Sequence, residues 1–357
     1  MSTLTRHEPG KPGRPGKPGA PGTHADDART GAPGGARVDG PLSGPVRVLL
    51  RMHRRPLWTA GVLLLLGIGA VVALRIWVAA ASGQERCPDG DITACGDDLY
   101  QPTYARTSAQ TFLADGGNVT LLLAGLLGIF VAGPLIAREL ESGTFRMAWT
   151  QSVAPSRWLT VRIAVPVVLA TAATAVVVPV YRWGWTGLQH NPFSWGLRWY
   201  EGSVYLGSGP VTLGYALLAV ALGALVAVLV RRTLPAMAIT ALLVGAAAVT
   251  LTQLREHLWP VDRFSGRRGP DDFAWFIDSG MLTASGRAVY WSDCADEGTP
   301  GGDLSVCMRE RGGVTPFTDV HPASHFWPLQ LVETGILLAL AALAVFAAFR
   351  VLRRLHG

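Results

Sequence analysis

Two ionisable side chains lie inside long apolar stretches of the sequence and are the first candidates for a chemical role. Arg75 lies near the end of the first stretch, and Glu333 lies well inside the last. A charged group at membrane depth costs roughly 2.5–3.5 kcal/mol on insertion scales, so such residues are functional candidates by default. We predict that Arg75 and Glu333 pair with each other or line a polar path. The alternative is that Arg75 reaches the lipid headgroups and Glu333 reaches a water-filled vestibule, each separately.

Catalytic and nucleotide-binding motifs are missing from the sequence. The only lysines are Lys11 and Lys17, and no phosphate-loop match is present, so the chain cannot bind ATP through a phosphate-loop lysine of its own. Neither a helical zinc-protease motif nor a Gly-x-Ser-x-Gly motif occurs. His321 and His325 have the spacing of a helical metal chelate, but two neighbouring prolines argue against a regular helix there. We predict no catalytic residue, no metal site and no directly bound cofactor.

The composition indicates that lipid is the main solvent of this chain. Hydrophobic residues make up 49% and charged residues 16% of the 357 residues, whereas an average soluble domain has roughly 25% charged residues. A helix needs roughly 20 apolar residues to cross a bilayer. Six stretches meet this requirement, namely Leu57–Ala80, Val119–Ala137, Leu159–Tyr181, Val211–Val230, Pro235–Leu254 and Phe326–Phe349. The predicted fold class is an all-α integral membrane protein with six transmembrane helices.

Arginines cluster at alternate ends of the six stretches and predict their orientation. Short cytoplasmic loops carry an excess of basic residues. The candidate inner segments hold Arg47, Arg51, Arg54, Arg55, Arg138, Arg146, Arg157, Arg231, Arg232, Arg350, Arg353 and Arg354. The net charge of +6 is therefore spread over the ends of apolar segments and forms no single basic patch, which argues against a nucleic-acid partner. Both termini are predicted to lie in the cytoplasm.

The segments outside the six stretches differ in composition. Residues 1–45 are rich in Gly and Pro and are predicted to form a disordered tail, whereas residues 46–56 are predicted to form an amphipathic helix at the membrane interface. The alternative for the latter is a basic flank of the first span. The transmembrane domain is predicted to cover residues 57–354, with an inner loop at 138–158 and outer loops at 81–118, 182–209 and 255–325. The last outer loop is too long for a connector, so it is predicted to fold as a small cap.

The four cysteines all fall in predicted outer loops. Cys87 and Cys95 lie in the first of these loops, and Cys294 and Cys307 lie in the last. Because disulfides persist in oxidising compartments, this placement agrees with the predicted orientation and makes all four disulfide candidates. The sequence alone leaves their pairing open, and free thiols without a role are the alternative.

The inner loop between the second and third spans carries the most informative pattern. Glu139 and Glu141 end a helix that extends from the membrane, and Gly143 can break it. Phe145 and Trp149 are four residues apart and share one face of a short helical turn. An apolar pair on a polar cytoplasmic segment is suited to docking in the groove of a soluble partner. The alternative is that the tryptophans of this loop join the aromatic belt at the headgroups.

This pattern resembles the permeases of the ATP-binding-cassette (ABC) type-2 exporter family. The resemblance lies in an acidic end to the second span, a Gly-Thr pair and a Pro-Ser-Arg entry into the third span, which here are Glu139, Glu141, Gly143, Thr144, Pro155, Ser156 and Arg157. The strings GTFRMAWTQSVAPSRW and FWPLQLVETGI are similar in particular to those of actinobacterial permeases. The resemblance covers the six-span frame, although the long last outer loop departs from many family members.

The resemblance implies a transport subunit in the plasma membrane of a bacterium. Such a permease pairs with a second copy or a paralogue, and each permease docks a cytoplasmic ABC ATPase, which uses ATP and Mg²⁺. The loop after the second span is the element that couples the two proteins. Carried onto this chain, Glu139, Glu141, Gly143 and Thr144 belong to that element, and helical spacing adds Phe145, Arg146 and Trp149 to it. Membrane lipid is the remaining expected partner, and the transported substrate is not specified.

Two other classes of protein are compatible with the sequence. The first is a membrane-embedded hydrolase assembled from scattered residues, which the missing motifs weaken without excluding. Such an enzyme would not depend on ATP. A membrane sensor or scaffold would use the last outer loop as a ligand-binding unit. Recovery of a stoichiometric ATPase with the purified chain distinguishes the exporter from both.

Overall fold

The six predicted spans form six long helical segments. The computed structural model describes residues 54–82, 100–144, 154–189, 197–265, 271, 273–295 and 304–354. In these ranges six helical segments are long and apolar enough to cross a membrane, which confirms the predicted fold class. The predicted tail and residues 46–53 of the predicted amphipathic helix lie outside the described residues.

The bounds of the helices extend the predicted stretches at most ends. The long elements are α1 (Arg54–Ser82), α2 (Tyr100–Leu126) with a π-helical turn (Leu127–Ala132) and α3 (Gly133–Ser142), α4 (Pro155–Thr186), α6 (Val211–Val230), α7 (Thr233–Leu254) and α10 (Phe326–Arg354). Short helices are α5 (Gly202–Gly207), α8 (Trp291–Ala295) and α9 (Leu304–Glu310). In α6 the bounds match the prediction at both ends.

The second span begins much earlier in the chain than predicted. Residues 100–118 were expected to belong to the outer loop 81–118, but they form the first part of α2. Ala105, Ala109 and Leu113 are spaced four residues apart and are all buried against the other helices. Hydropathy misses this extension because the segment also carries many polar residues, including Gln101, Arg106 and Asp115, while one buried face is enough to hold an amphipathic helix in place.

The helix α6 is the centre of the bundle, and most of its residues are buried. Its close contact with the second span depends on glycine. A Cβ atom on Gly128 would lie 2.2 Å from the backbone of Ala219, and one on Gly223 would lie 2.6 Å from the carbonyl oxygen of Gly128. This is the close approach of helices that small residues permit in membranes. Gly125 contributes less, since its nearest neighbour would be an ordinary contact at 3.8 Å.

The predicted last outer loop contains a four-stranded antiparallel sheet. The strands are β1 (Asp262–Ser265), β2 (Trp275–Thr283), β3 (Ala288–Tyr290) and β4 (Gly313–His321), in the order β1-β4-β2-β3. We call this sheet with α8 and α9 the cap. The end of the bundle that carries it is the cap end, and the opposite end, with residues 138–144 and 154–158, is the loop end.

The buried apolar residues form one large cluster towards the cap end and a second towards the loop end. The first includes Tyr181, Trp199, Tyr205, Tyr215 and Phe326. In the second, Ile136, Trp158, Val228, Ala236 and Leu352 bring together residues of α3, α4, α6, α7 and α10. The loop end is therefore packed as one apolar unit just below the segment that was predicted to dock a partner.

Candidate functional site

The predicted docking loop begins at a well-defined helix end. The helix α3 ends at Ser142, and Gly143 follows it in the left-handed conformation with φ of 73°. This conformation is typical of the residue after a helix and favours glycine. The hydroxyl groups of Ser142 and Thr144 lie 2.9 Å apart just beyond the turn. The chain is thereby directed away from the axis of α3 at the position where the sequence predicted a break.

Glu139 connects the end of α3 with the first turns of α4. Its carboxylate accepts a hydrogen bond of 2.8 Å from the indole nitrogen of Trp158, and it forms an ion pair with Arg162. The Arg162 guanidinium also lies 5.8 Å from the centre of the Trp158 ring. Trp158 is 6% exposed, so its ring belongs to the apolar core and not to a lipid-facing aromatic belt.

Glu141 connects the same helix end with α7. Its carboxylate accepts hydrogen bonds from the backbone nitrogen of Thr233 at 3.0 Å and from the Thr233 hydroxyl at 2.7 Å. Thr233 is the first residue of α7, where backbone N–H groups lack partners inside the helix and a negative charge is favoured. Two acidic residues of one short segment therefore hold the first turns of two different membrane helices.

Three of the predicted docking residues cannot be placed. Phe145, Arg146 and Trp149 lie outside the described residues, and so do Cys87 and Cys95 of the predicted first outer loop. The other two disulfide candidates, Cys294 and Cys307, form a disulfide that joins α8 to α9 in the cap. The disulfide therefore ties together the two short helices of the cap.

Glu333 lies at the cap end of the bundle in a fully buried charged cluster. Its carboxylate accepts hydrogen bonds from Arg255 Nε at 3.0 Å and Arg255 Nη2 at 3.3 Å, and from the Tyr215 hydroxyl at 3.0 Å. The guanidinium also lies 4.0 Å from the centre of the Tyr205 ring. Glu333 is 0% and Arg255 3% exposed. Burial of two charges is tolerated here because each is paired and hydrogen-bonded.

The predicted pairing of Glu333 with Arg75 is wrong. Glu333 is paired with Arg255, which directly follows α7, whereas the Arg75 guanidinium lies 4.8 Å from the centre of the Trp183 ring. Arg75 also fills the space beside Gly187, where a Cβ atom would overlap the guanidinium. Since Glu333 is completely enclosed, it does not line a water-filled vestibule in this structure either.

Three residues that complete the buried cluster were not predicted from the sequence. Arg255 is the first residue of the predicted outer loop 255–325, and its position directly after an apolar stretch is the signal that places it beside the end of a membrane helix. Tyr215 was not distinguished from the apolar residues around it. Gln330 lies one turn before Glu333, accepts a hydrogen bond from the Val211 nitrogen at 3.1 Å and donates one of 2.6 Å to the Tyr205 carbonyl oxygen. Together they connect α5, α6, α7 and α10.

Two histidines form a hydrogen-bonded chain between the cap and the membrane helices. The Nδ1 atoms of His321 and His325 lie 3.0 Å apart, and His321 Nε2 lies 3.0 Å from the carbonyl oxygen of Glu256. Because a carbonyl only accepts, His321 Nε2 carries the proton, and His325 donates to His321 Nδ1. Burial is the main cause that lowers the pKa of His321. No group of three or more potential metal ligands occurs among the described residues.

Aromatic side chains fasten the cap to the bundle around these histidines. The rings of Tyr200 and Trp275 stack at 5.7 Å, and the Trp199 nitrogen donates a hydrogen bond of 2.8 Å to the Phe273 carbonyl oxygen. In β1 and β4, Arg263 pairs with Asp319 at 2.7 Å. The hydrogen bonds from Arg263 lower the pKa of the Asp319 carboxyl group, so this pair is charged at neutral pH.

Six helical segments that are long and apolar enough to cross a bilayer define a multi-pass membrane protein. A protein-family model described as "ABC-2 membrane transporter related" matches residues 59–255, which is more than half of the chain. The chain therefore belongs to this family of ABC transporter permeases. Neither the curated proteins nor the solved structures compared with it gave a match.

Proposed function

We propose that this chain is the membrane-spanning subunit of an ATP-driven exporter in the cytoplasmic membrane of a bacterium. A separate ABC ATPase, which binds ATP and Mg²⁺, supplies the energy and docks at residues 138–158. The chain itself binds no nucleotide. The permease works as a dimer, with a second copy or a paralogue, and moves a substrate of unspecified chemistry outwards. The loop end lies in the cytoplasm together with both termini, and the cap lies outside.

The observation that carries this proposal is the pair of acidic contacts at the start of the loop. Glu139 bonds to Trp158 and the neighbouring arginine in α4, and Glu141 bonds to Thr233 in α7. A force applied to the loop by a moving partner would reach both helices through these contacts. This arrangement is what an external energy source requires, since a permease without its own nucleotide site must receive motion through a surface element.

The proposed transport cycle follows from these contacts. Closure of the two ATPase chains on ATP would displace the loop, and Glu139 and Glu141 would transmit the displacement to α4 and α7. Those helices would then change their packing against α6. The cap end is held by the buried cluster of Glu333, so the motion would be expressed first at the loop end. Hydrolysis and release of the ATPase chains would reverse the change.

The proposal is tested by purifying the tagged full-length chain from its native membrane in mild detergent. Native mass spectrometry should find a protein with a phosphate-loop motif in equal numbers with the permease, and the complex should hydrolyse ATP. A cysteine introduced by Arg146→Cys should react with an impermeant maleimide only in inverted vesicles. A chain that moves its substrate with no ATPase present, or a residue 146 labelled from outside intact cells, would overturn the proposal.

A further inference from the structure

An apolar groove lies between α4, α6 and α10 on the surface of the bundle. Its volume is about 430 Å³, and it is open along one side. Its walls include Ile163 and Val167 of α4, Val220 of α6, and Ala342, Val345 and Phe346 of α10. All residues that line the groove are apolar, so a polar substrate would find no partner inside it.

The groove is open on the face that a membrane-spanning bundle turns to lipid. Leu338 is 42% and Phe346 64% exposed along its edge. Since α4 begins and α10 ends at the loop end, the groove lies between the middle of the bundle and that end. A concave surface at this depth is in contact with the hydrocarbon tails of one leaflet. The floor contains Ala221 and Ala341, whose small side chains leave room for a flexible chain.

A positive charge lies at the loop end of the groove. The Arg350 guanidinium lies 6.0 Å from the centre of the Phe346 ring, one turn beyond the last residue of the lining. Arg350 is exposed and is followed by Arg353 and Arg354 at the end of α10. The headgroup region is expected where an apolar helix becomes basic. A guanidinium that is held beside the groove mouth at this level is suited to a phosphate group.

We propose that this groove is a binding site for one acyl chain of an anionic glycerophospholipid, with the lipid phosphate bound by Arg350. The lipid comes from the leaflet at the loop end. Charge complementarity favours this occupant over a second protein chain, because the groove is entirely apolar while its mouth is cationic. The site rests only on the membrane insertion of the bundle, so it stands or falls independently of export and of the ATPase.

The experiment measures lipids retained by the full-length protein. The protein is purified from nanodiscs of phosphatidylglycerol and phosphatidylcholine, and lipids that remain bound are counted by native mass spectrometry. Arg350→Gln should lower retention of phosphatidylglycerol about tenfold or more, because a hydrogen bond between charged groups is lost. Arg354→Gln is the matched control, and as a more distant charge it should cost about fivefold at most. Equal losses for the two variants would overturn the assignment of the phosphate to Arg350.

The apolar part of the site has its own pair of variants. Ala342→Phe places a ring in the groove and should reduce retention of both lipids, whereas Leu343→Phe, on the exposed face beside it, should leave retention unchanged. Retention by Ala342→Phe that equals the unmodified protein would refute an acyl chain in the groove. A photoreactive acyl chain on phosphatidylglycerol tests the unmodified protein as well. Its cross-links should fall on residues of the groove, and cross-links confined to α1 or α7 would also refute the proposal.

Discussion

The acidic residues at the two ends of this bundle are held in opposite ways. Glu333 at the cap end has no exposed surface and shares its carboxylate between Arg255 and Tyr215. Glu139 and Glu141 at the loop end are partly exposed and contact one helix each. A buried pair is costly to separate, whereas exposed pairs contribute little to stability and can be rearranged. We infer that the cap end is the fixed part of the bundle and that the loop end is the adjustable part.

The largest effect is expected when the buried pair loses one member. Glu333→Ala leaves the Arg255 charge enclosed without a partner, so the free energy of unfolding should fall by about 3–5 kcal/mol. Unfolding in mixed detergent micelles measures this loss. Replacing both residues by apolar ones, Glu333→Leu with Arg255→Met, should recover most of the stability, because a buried ion pair is often no better than packed hydrocarbon.

The same variants distinguish a structural from a transport role of Glu333. If the cluster only fixes the cap end, transport per folded molecule should be unchanged in the double apolar variant. Loss of transport in a double variant that is as stable as the unmodified protein would place Glu333 in the substrate path and would remove the contrast between the two ends.

Hydropathy predicted the six spans because a membrane demands long apolar helices, and Val211–Val230 needed no correction. It also identified Glu333 as exceptional, since a charge inside such a helix is rare. The partner could not be predicted, because Arg255 is 78 residues away in sequence and follows the end of its own helix. Depth alone favoured Arg75, which packs on an aromatic ring.

The loop end was predicted more completely than the cap. The helix end at Ser142 could be predicted from local sequence, because a glycine after a helix readily adopts the positive φ that ends it, as Gly143 does. The contacts of Glu141 with α7 required knowledge of the fold, because the two lie 92 residues apart. In the cap, β1 is four residues long, and its partner strand β4 contains Pro316, so neither strand has a long alternating pattern to read.

A smaller loss of stability is expected at the cap end when the pH is lowered. The folded protein lowers the pKa of His321, chiefly because the ring is buried. An extra proton on His321 Nδ1 would face the Nδ1 proton that His325 donates and would break that contact, whereas the hydrogen bond from Nε2 to the Glu256 carbonyl oxygen would remain. The unfolded chain therefore takes up the proton first. Stability should be full above the usual histidine pKa and should decline below it, by at most about 1.4 kcal/mol per pH unit.

The measurement is the free energy of unfolding across a series of pH values from neutral to mildly acidic. His321→Gln should remove this part of the slope. His257→Gln is the matched control, because the His257 side chain is 73% exposed and should leave the slope unchanged. An identical slope in the unmodified protein and in His321→Gln would show that the histidine chain does not couple the cap to pH.

The smallest effect on stability, and the most informative one for function, is expected at Glu141. Its carboxylate is exposed, and within the part of the chain that the structure describes it accepts hydrogen bonds from the first residue of α7 alone, so Glu141→Ala should leave the melting temperature nearly unchanged. The ATPase should still co-purify in normal amount. What should disappear is the response of α7 to ATP in the complex, which a single cysteine introduced by Leu243→Cys reports through its reaction rate. The exposed cap residue Glu310 supplies the control variant, Glu310→Gln, which should retain the response. A normal response in Glu141→Ala would mean that displacement of the loop reaches α7 without the Glu141 contact, and the coupling role proposed for Glu141 would be wrong.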